Sequence, residues 1–152
     1  MKTLLILSDT HNNIKDMEKL VPIMKDSDYI IHLGDYQKDI KLFREFSQKI
    51  YSVKGNCDGG GDDLLLEIEK VKLLLTHGDR YSVKTTLYNL LLRAKEVGAN
   101  AVLYGHTHIA KTEEIDKITF INPGTLSLYS EKTYAYCVIS GNKIVSKTVN
   151  IY

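Results

Sequence analysis

Short apolar segments recur along the first two thirds of the chain, and most of them end in a polar residue that can bind a metal. Each segment has the length of a strand and is apolar throughout, which is typical of a central parallel strand covered on both faces. The segments predicted as strands cover residues 3–7, 29–33, 50–54, 64–68, 71–76 and 101–104. Because parallel strands need long crossover connections, this pattern favours β-α units.

Apolar residues at helical spacing predict helices between several of these strands. One helix covers 14–24, follows two asparagines that can cap it, and contains Pro22, which should bend or shorten it. A short helix is predicted at 40–48. A longer one covers 87–97 and ends at Gly98, since glycine accepts the left-handed conformation that terminates helices.

The last third of the chain has the character of antiparallel strands. Residues 113–115 and 117–121 are predicted to form one hairpin. A second hairpin pairs 133–140 with 143–152 around Gly141-Asn142, a sequence suited to a two-residue turn. Parallel units followed by hairpins indicate a layered α/β fold, in which two sheets packed face to face with helices outside would use all of these segments.

Length and composition describe one soluble domain. With 152 residues, 43% hydrophobic and 26% charged, the chain can bury a full core, and we expect residues 1–152 to form a single domain. The net charge of +1 and the scattered basic residues argue against a general nucleic-acid or membrane surface. No apolar run approaches a membrane span and no signal-peptide cleavage site follows the first strand, so we expect a cytoplasmic protein. Two cysteines, Cys57 and Cys137, suggest no disulfide framework.

Five predicted strands end in residues that commonly bind metals. In open α/β sheets, ligands bind beyond the carboxyl ends of the strands, so these residues should meet. Each of them alone has an ordinary alternative, a turn cap or a solvated histidine, but their common position at strand ends indicates a shared site. The seven candidate ligands are Asp9, His11, Asp35, Asn56, His77, His106 and His108.

These seven ligands exceed the number that one tetrahedral ion needs. They suit two ions that lie about 3.5–4 Å apart and clamp a phosphoryl group. Two divalent ions, two carboxylates and a bridging hydroxide leave a positive charge that attracts a phosphate anion, and the hydroxide is the expected nucleophile. Mixed nitrogen and oxygen ligands favour manganese, our first choice, or iron, cobalt, nickel or zinc over calcium and magnesium.

The order and spacing of these motifs resemble the calcineurin-like metallophosphoesterase superfamily, and more narrowly its small single-domain bacterial and archaeal phosphodiesterases. The motifs are Asp-x-His at 9–11, Gly-Asp at 34–35, Gly-Asn-x-Asp at 55–58, His-Gly at 77–78 and Gly-His-x-His at 105–108. The segment Ile-Asn-Pro-Gly at 121–124 is similar to a turn near the site in that group. The resemblance covers essentially the whole chain and implies a four-layer αββα sandwich with two mixed β-sheets.

The resemblance also implies a ligand assignment. One metal would be bound by Asp9, His11, Asp35 and His108. The other would be bound by Asp35, Asn56, His77 and His106. Asp35 would therefore bridge the two ions. The residues expected to act in catalysis are Asp35, Asn56, Cys57 and Asp58.

Cys57 stands where many members of the superfamily have a histidine that can protonate the leaving oxygen. A thiol, with an ordinary pKa of about 8.5, is a poor proton donor to an alkoxide compared with imidazolium. We therefore expect a preference for diesters with good leaving groups, such as aryl esters. The alternative for Cys57 is a small buried side chain with no catalytic part.

Two other positions leave alternatives open. Arg80 lies just after the His-Gly motif and its guanidinium suits phosphate, although a solvated side chain is its ordinary state. His32 lies inside a predicted strand, which favours a core histidine, or one that supports the ligands, over direct metal binding.

The function that fits these residues is hydrolysis of a small phosphodiester, and assembly as a homo-oligomer is left open. A phosphomonoesterase or nucleotidase is the alternative among enzymes. A non-catalytic protein-interaction scaffold is the alternative outside them, since the small subunit of the retromer coat resembles this fold and lacks a complete ligand set. No predicted ligand is replaced in this chain, which favours the enzyme.

Overall fold

The computed structural model describes all 152 residues and contains ten strands in two five-stranded sheets. The strands are β1 (Lys2–Leu7), β2 (Tyr29–His32), β3 (Ile50–Ser52), β4 (Leu64–Ile68), β5 (Val71–Leu75), β6 (Ala101–Leu103), β7 (Lys111–Ile115), β8 (Ile118–Asn122), β9 (Thr133–Ser140) and β10 (Lys143–Asn150). The first sheet has the order β10-β9-β1-β2-β3 and the second the order β4-β5-β6-β8-β7. Every predicted strand is present, with ends that differ by a few residues.

The helices are shorter than the sequence predicts. They are α1 (Ile14–Glu18), α2 (Val21–Asp26) and α3 (Tyr88–Val97), together with short 3-10 helices at Gln37–Leu42, Arg44–Lys49, Asn56–Asp58 and Asp79–Tyr81. The single helix predicted at 14–24 is wrong, because Pro22 lies in the first turn of α2, the one place where a missing N–H costs nothing. The helix predicted at 40–48 is instead a pair of 3-10 helices. None of the helices combines the length and the hydropathy that crossing a bilayer requires.

The buried side chains form three layers of core that confirm the four-layer α/β sandwich. On β1, Leu4 and Ile6 face the second sheet and pack with residues such as Leu73 of β5. Their neighbours Leu5 and Leu7 point the other way, against α1 and α2. This alternation explains why the whole strand is apolar. On the outside of the second sheet, α3 packs against β5, β6 and β8 through a third apolar cluster.

Strand direction brings the predicted ligands to one edge of the molecule. The strands β1, β2 and β3 are parallel in the first sheet, and β5, β6 and β8 are parallel in the second. Their carboxyl ends lead into the loops that carry all seven predicted ligands.

Candidate metal centre

Six of the seven predicted ligands lie in two groups of three. Within each group, one ligand atom per residue lies within 4.8 Å of the other two. We call Asp9, His11 and His108 the first group, and Asp35, His77 and His106 the second group.

The first group joins the loop after β1 to the loop after β6. The Nε2 atom of His108 lies 3.1 Å from Oδ1 of Asp9 and 3.4 Å from Nε2 of His11. Two imidazole nitrogens at this distance need a proton between them, because two lone pairs would otherwise face each other. A cation bound by both nitrogens and the carboxylate would replace that proton, so this donor set fits a metal.

The second group joins the loops after β2, β5 and β6. The Nε2 atom of His77 lies 3.4 Å from Oδ2 of Asp35 and 3.2 Å from Nδ1 of His106. It also lies 3.9 Å from Oδ1 of Asp9, so the two groups are adjacent. Asp35 itself lies in the second group, and its predicted role as the bridge between two ions stays a prediction.

Five of these six ligands have backbone φ angles in the left-handed region: Asp9 (53°), His11 (44°), Asp35 (59°), His106 (72°) and His108 (64°). Residues other than glycine adopt this conformation at a cost and keep it where the surrounding structure imposes it. All five residues lie in the loops that follow β1, β2 and β6. The strain is therefore concentrated at the candidate centre.

Two glycines allow the loops to approach closely enough. A side chain on Gly55 would collide with the Asp35 carboxylate, and one on Gly105 would collide with the hydroxyl of Ser8. Both positions need glycine because of this contact. The glycines of the Gly-Asn-x-Asp and Gly-His-x-His motifs therefore set the distance between the loops.

The Asp9 carboxylate is fully buried and fixed by hydrogen bonds. Its Oδ2 atom accepts a hydrogen bond from the hydroxyl of Ser8 and one of 3.1 Å from the backbone N–H of His106. The hydroxyl of Thr125 donates to the backbone carbonyl of Asp9 at 2.7 Å. Oδ1 is left facing the histidines.

A chain of hydrogen bonds holds the loop after β1, which carries two residues of the first group. The N–H of Gly34 donates to Nδ1 of His32, so the ring proton of His32 lies on Nε2, 2.9 Å from the hydroxyl of Thr10. That hydroxyl donates to Asp39 at 2.7 Å, and the same carboxylate oxygen accepts from the N–H of Asn12 at 2.8 Å. The chain links the loop after β1 to the loop after β2.

His32 itself is fully buried, and burial lowers its pKa to about 4, so the ring is neutral at neutral pH. The prediction of a core histidine is confirmed, and its role in supporting the ligands stays a prediction.

His77 is oriented by the main chain. Its Nδ1 atom donates to the carbonyl of Leu33 at 2.8 Å, which turns Nε2 towards Asp35. Burial alone would lower the pKa of His77, but the hydrogen bond to Asp35 and the charge of Asp9 raise it above its ordinary value. Burial alone would raise the pKa of Asp35, but hydrogen bonds from His77 and from the N–H of Cys57 hold it well below its usual range. The second group therefore favours a positive charge, which is what a metal ion provides.

The segment 56–58 lies directly beside Asp35. The N–H of Cys57 donates to Oδ1 of Asp35 at 2.8 Å. The carboxylate of Asp58 accepts from the N–H groups of Gln37 (3.2 Å) and Gly55 (3.0 Å) and so holds this turn in place. Asn56 is exposed at the start of the short 3-10 helix. The catalytic roles of all three stay predictions.

Burial decides the alternative for Cys57, and a surface ion pair describes the state of Arg80 without deciding its role. Cys57 is exposed, so the alternative of a buried filler is wrong. Partial loss of solvent and the nearby Asp35 charge raise the pKa of the Cys57 thiol, which keeps it protonated at neutral pH. The guanidinium of Arg80 pairs with Asp63 at 2.9 Å, which leaves it engaged at the surface.

Sequence reasoning missed the residues that hold the ligands. The amide of Asn122 donates to the carbonyl of Gly105 and, at 2.9 Å, to the hydroxyl of Thr107, between the two histidines of that loop. The Ile-Asn-Pro-Gly motif indicated this turn but not its contacts. Nothing in the sequence indicated Thr10 or Asp39 as a pair, because they are 29 positions apart.

A family model described as "Calcineurin-like phosphoesterase superfamily domain" matches residues 1–143. The chain belongs to this superfamily. The resemblance inferred from the motifs is therefore confirmed, and the two ligand groups lie where those motifs end.

Relatives within the superfamily have names that agree with this assignment. The chain is 35% identical over 141 residues to "Probable metallophosphoesterase YsnB" of Bacillus subtilis, covering 90% of this chain and 82% of that protein. It is 31% identical over 140 residues to "Phosphodiesterase MJ0936" of Methanocaldococcus jannaschii, covering 78% and 81% of the two chains. These relatives and the two ligand groups support a metal-dependent phosphoesterase.

The same fold also occurs in a protein that is not named as a phosphoesterase. The structure of Vacuolar Protein Sorting 29 from Cryptosporidium parvum aligns with a TM-score of 0.84 over 99% of this chain and 92% of that one. The sequence identity is 17%, so this likeness shows the fold alone.

Proposed function

We propose that the protein, as one domain formed by residues 1–152, is a phosphodiesterase that uses two divalent metal ions to hydrolyse a small phosphodiester. The observation that carries this proposal is the adjacency of the two ligand groups, connected by the 3.9 Å approach of His77 to Asp9.

The proposed ligand sets follow the motifs. Asp9, His11, Asp35 and His108 would hold one ion, and Asp35, Asn56, His77 and His106 the other. Manganese is the first candidate, because histidine nitrogen and carboxylate oxygen together suit first-row transition metals. Iron, cobalt, nickel and zinc are the alternatives.

When bound, two such ions would supply Lewis-acid chemistry, lowering the pKa of a shared water towards 7 and neutralising charge on the phosphoryl oxygens. The protein's own contribution is orientation. Asp9 is held by Ser8 and the N–H of His106, and His77 by the carbonyl of Leu33, so both present one donor atom to the centre. Fixed donors of this kind need little rearrangement when the substrate reacts.

The leaving group would receive little help from the protein. Cys57 is the exposed side chain at the position where many members of the superfamily are expected to have histidine, and its raised pKa makes it a weak acid. Asp58 accepts hydrogen bonds from two backbone N–H groups and holds the 55–58 turn, and its part in catalysis stays a prediction. A phenolate leaves without protonation, whereas an alkoxide does not, so aryl diesters are the expected model substrates.

The test is hydrolysis of bis(4-nitrophenyl) phosphate and 4-nitrophenyl phosphate by chelator-treated protein to which each metal is added back. We expect turnover of the diester to need metal and to exceed turnover of the monoester. Faster turnover of the monoester under the same metal conditions would contradict the diester assignment. Full activity in chelator would contradict the metal assignment.

A further inference from the structure

A cleft lined by lysines opens beside the second ligand group. It has a volume of about 470 Å³, within the range of small-ligand sites. We call it the lysine cleft, and its lining residues are Tyr36, Gln37, Lys38, Lys41, Lys54, Cys57 and Asp58. Cys57 contacts Asp35 through its N–H, so one wall of the cleft is also a wall of the candidate metal centre.

The lysine cleft carries a concentrated positive charge. Three lysines and one aspartate give it a net +2, although the whole chain carries only +1. The aspartate, Asp58, already accepts hydrogen bonds from two backbone N–H groups. Lys38, Lys41 and Lys54 form no ion pair with any carboxylate of the protein. Their charges are therefore available to a ligand.

Tyr36 connects the lysine cleft to the first ligand group. Its ring centroid lies 5.1 Å from that of His11, and Nζ of Lys38 lies 5.4 Å from the same tyrosine ring. A cation over an aromatic face is held by the ring quadrupole, which orders an otherwise mobile lysine. The cleft thus borders both ligand groups.

A second groove of the molecule has a different character. This groove is larger, about 790 Å³, it includes Thr107 and Ile109, the sequence neighbours of His108, and seven of its thirteen lining residues are hydrophobic. Among them are Val83, Leu87 and Ile109. The lysine cleft, with two hydrophobic residues among its seven, is therefore the more polar of the two openings.

We propose that the lysine cleft binds a negatively charged group, a carboxylate or a phosphate, at the end of one ester arm of the substrate. The substrate class is then an asymmetric phosphodiester with one anionic arm. This inference rests on the proposed phosphodiesterase function and names the substrate of the same site. Because the lysines are exposed, the attraction is screened by salt and acts mainly on binding of the substrate.

The test compares two diesters that share a 4-nitrophenolate leaving group. One carries an alkyl arm ending in a carboxylate, and the other carries an alkyl arm of the same length ending in a methyl group. We expect the KM of the anionic diester to be about tenfold lower at low ionic strength, the sum of three exposed charge contacts. In the variant Lys38→Gln/Lys41→Gln/Lys54→Gln, the KM of the anionic diester should rise until it nearly equals that of the neutral diester.

A charge-matched control replaces lysines far from the cleft. Lys143 and Lys147 lie on β10, at the edge of the sheet opposite to β3, and Lys117 lies in the turn before β8. Changing these three to Gln should leave the KM ratio at its wild-type value. Equal KM values in the wild type, or an equal loss in both triple variants, would overturn the proposal. Absence of turnover with both diesters would instead reject the phosphodiesterase function.

A second readout needs no turnover. Cys57 is exposed and lines the cleft, whereas Cys137 is buried, so thiol reagents report the potential at Cys57 in chelator-treated protein. The thiolate attacks the thiosulfonate sulfur and the sulfinate leaves, giving a mixed disulfide. The rate with an anionic methanethiosulfonate, relative to a neutral one, should fall about threefold or more in the Lys38/Lys41/Lys54 variant. An unchanged relative rate would overturn the proposal.

Discussion

The two ligand groups are built from the same residue types but differ in how firmly they are held. In the second group, Asp35 and His77 are 3% and 2% exposed, and the carbonyl of Leu33 fixes the histidine ring. In the first group only Asp9 is buried, while the side chains of His11 and His108 are 26% and 35% exposed. Donors that are already oriented lose less freedom on binding. We therefore expect the second group to bind its ion more tightly.

Removing Asp35 should have the largest effect, because the proposed bridge belongs to both ions. In Asp35→Ala we expect the loss of both metals and a fall in kcat/KM well beyond the 10- to 100-fold typical of residues that only support ligands. Metal content and diester turnover measure this directly. The matched control is Asp62→Ala, an exposed carboxylate outside both groups, which should keep both. Retained turnover in Asp35→Ala would rule out the bridging role.

Exchanging one histidine in each group separates the two sites. We expect His77→Gln to weaken metal binding by about 100-fold or more, since His77 is buried and fixed by the main chain. In His11→Gln the loss of affinity should be about tenfold. Isothermal titration of chelator-treated protein should resolve a tight and a weak step in the wild type. Equal losses in the two variants would show that burial does not distinguish the groups.

Replacing His32 should have a smaller effect that falls on the first group. His32→Gln removes the acceptor for the N–H of Gly34 and disturbs the contact with Thr10, but no ligand is lost. We expect metal affinity to fall by about tenfold, at the lower end for residues that support ligands, and far less than in His77→Gln. The weak step of the titration should change more than the tight step. A loss as large as that of His77→Gln would make His32 a ligand.

A last effect, outside metal binding, concerns the stability of the metal-free protein at low pH. His32 binds a proton near its ordinary value of 6.5 in the unfolded chain but only near 4 when folded, because it is buried. Between these values the unfolded state holds more protons, so stability is complete above pH 6.5 and is lost as the pH falls to 4. The loss should reach about 3 kcal/mol.

Urea unfolding across this pH range measures that loss. The His32→Gln variant should lack this part of the pH dependence, because glutamine does not titrate. The same slope in both proteins would assign the pH dependence to other groups.

The sequence was sufficient for the parts of the molecule that depend on local pattern. Apolar runs located the strands, and the residues just after them, such as Asp9 and His77, supplied the ligands because parallel strands end at a common edge. The split between α1 and α2 was missed because Pro22 can either bend a helix or begin a new one. Local spacing does not distinguish these outcomes.

The supporting contacts were beyond sequence reasoning because they join distant positions. Asp39 is a polar residue in a short 3-10 helix, and only the tertiary structure buries it beneath Thr10. Likewise, the exposure of Cys57 depends on how the 55–58 turn lies against Asp35. Packing between elements decides both the burial of Asp39 and the exposure of Cys57.

The most direct test is the metal content of the protein after it is loaded with manganese and desalted, measured by elemental analysis and located by anomalous scattering. Two ions per chain, one at Asp9, His11 and His108 and one at Asp35, His77 and His106, are the expected result. A chain that takes up no metal at these residues would contradict the account.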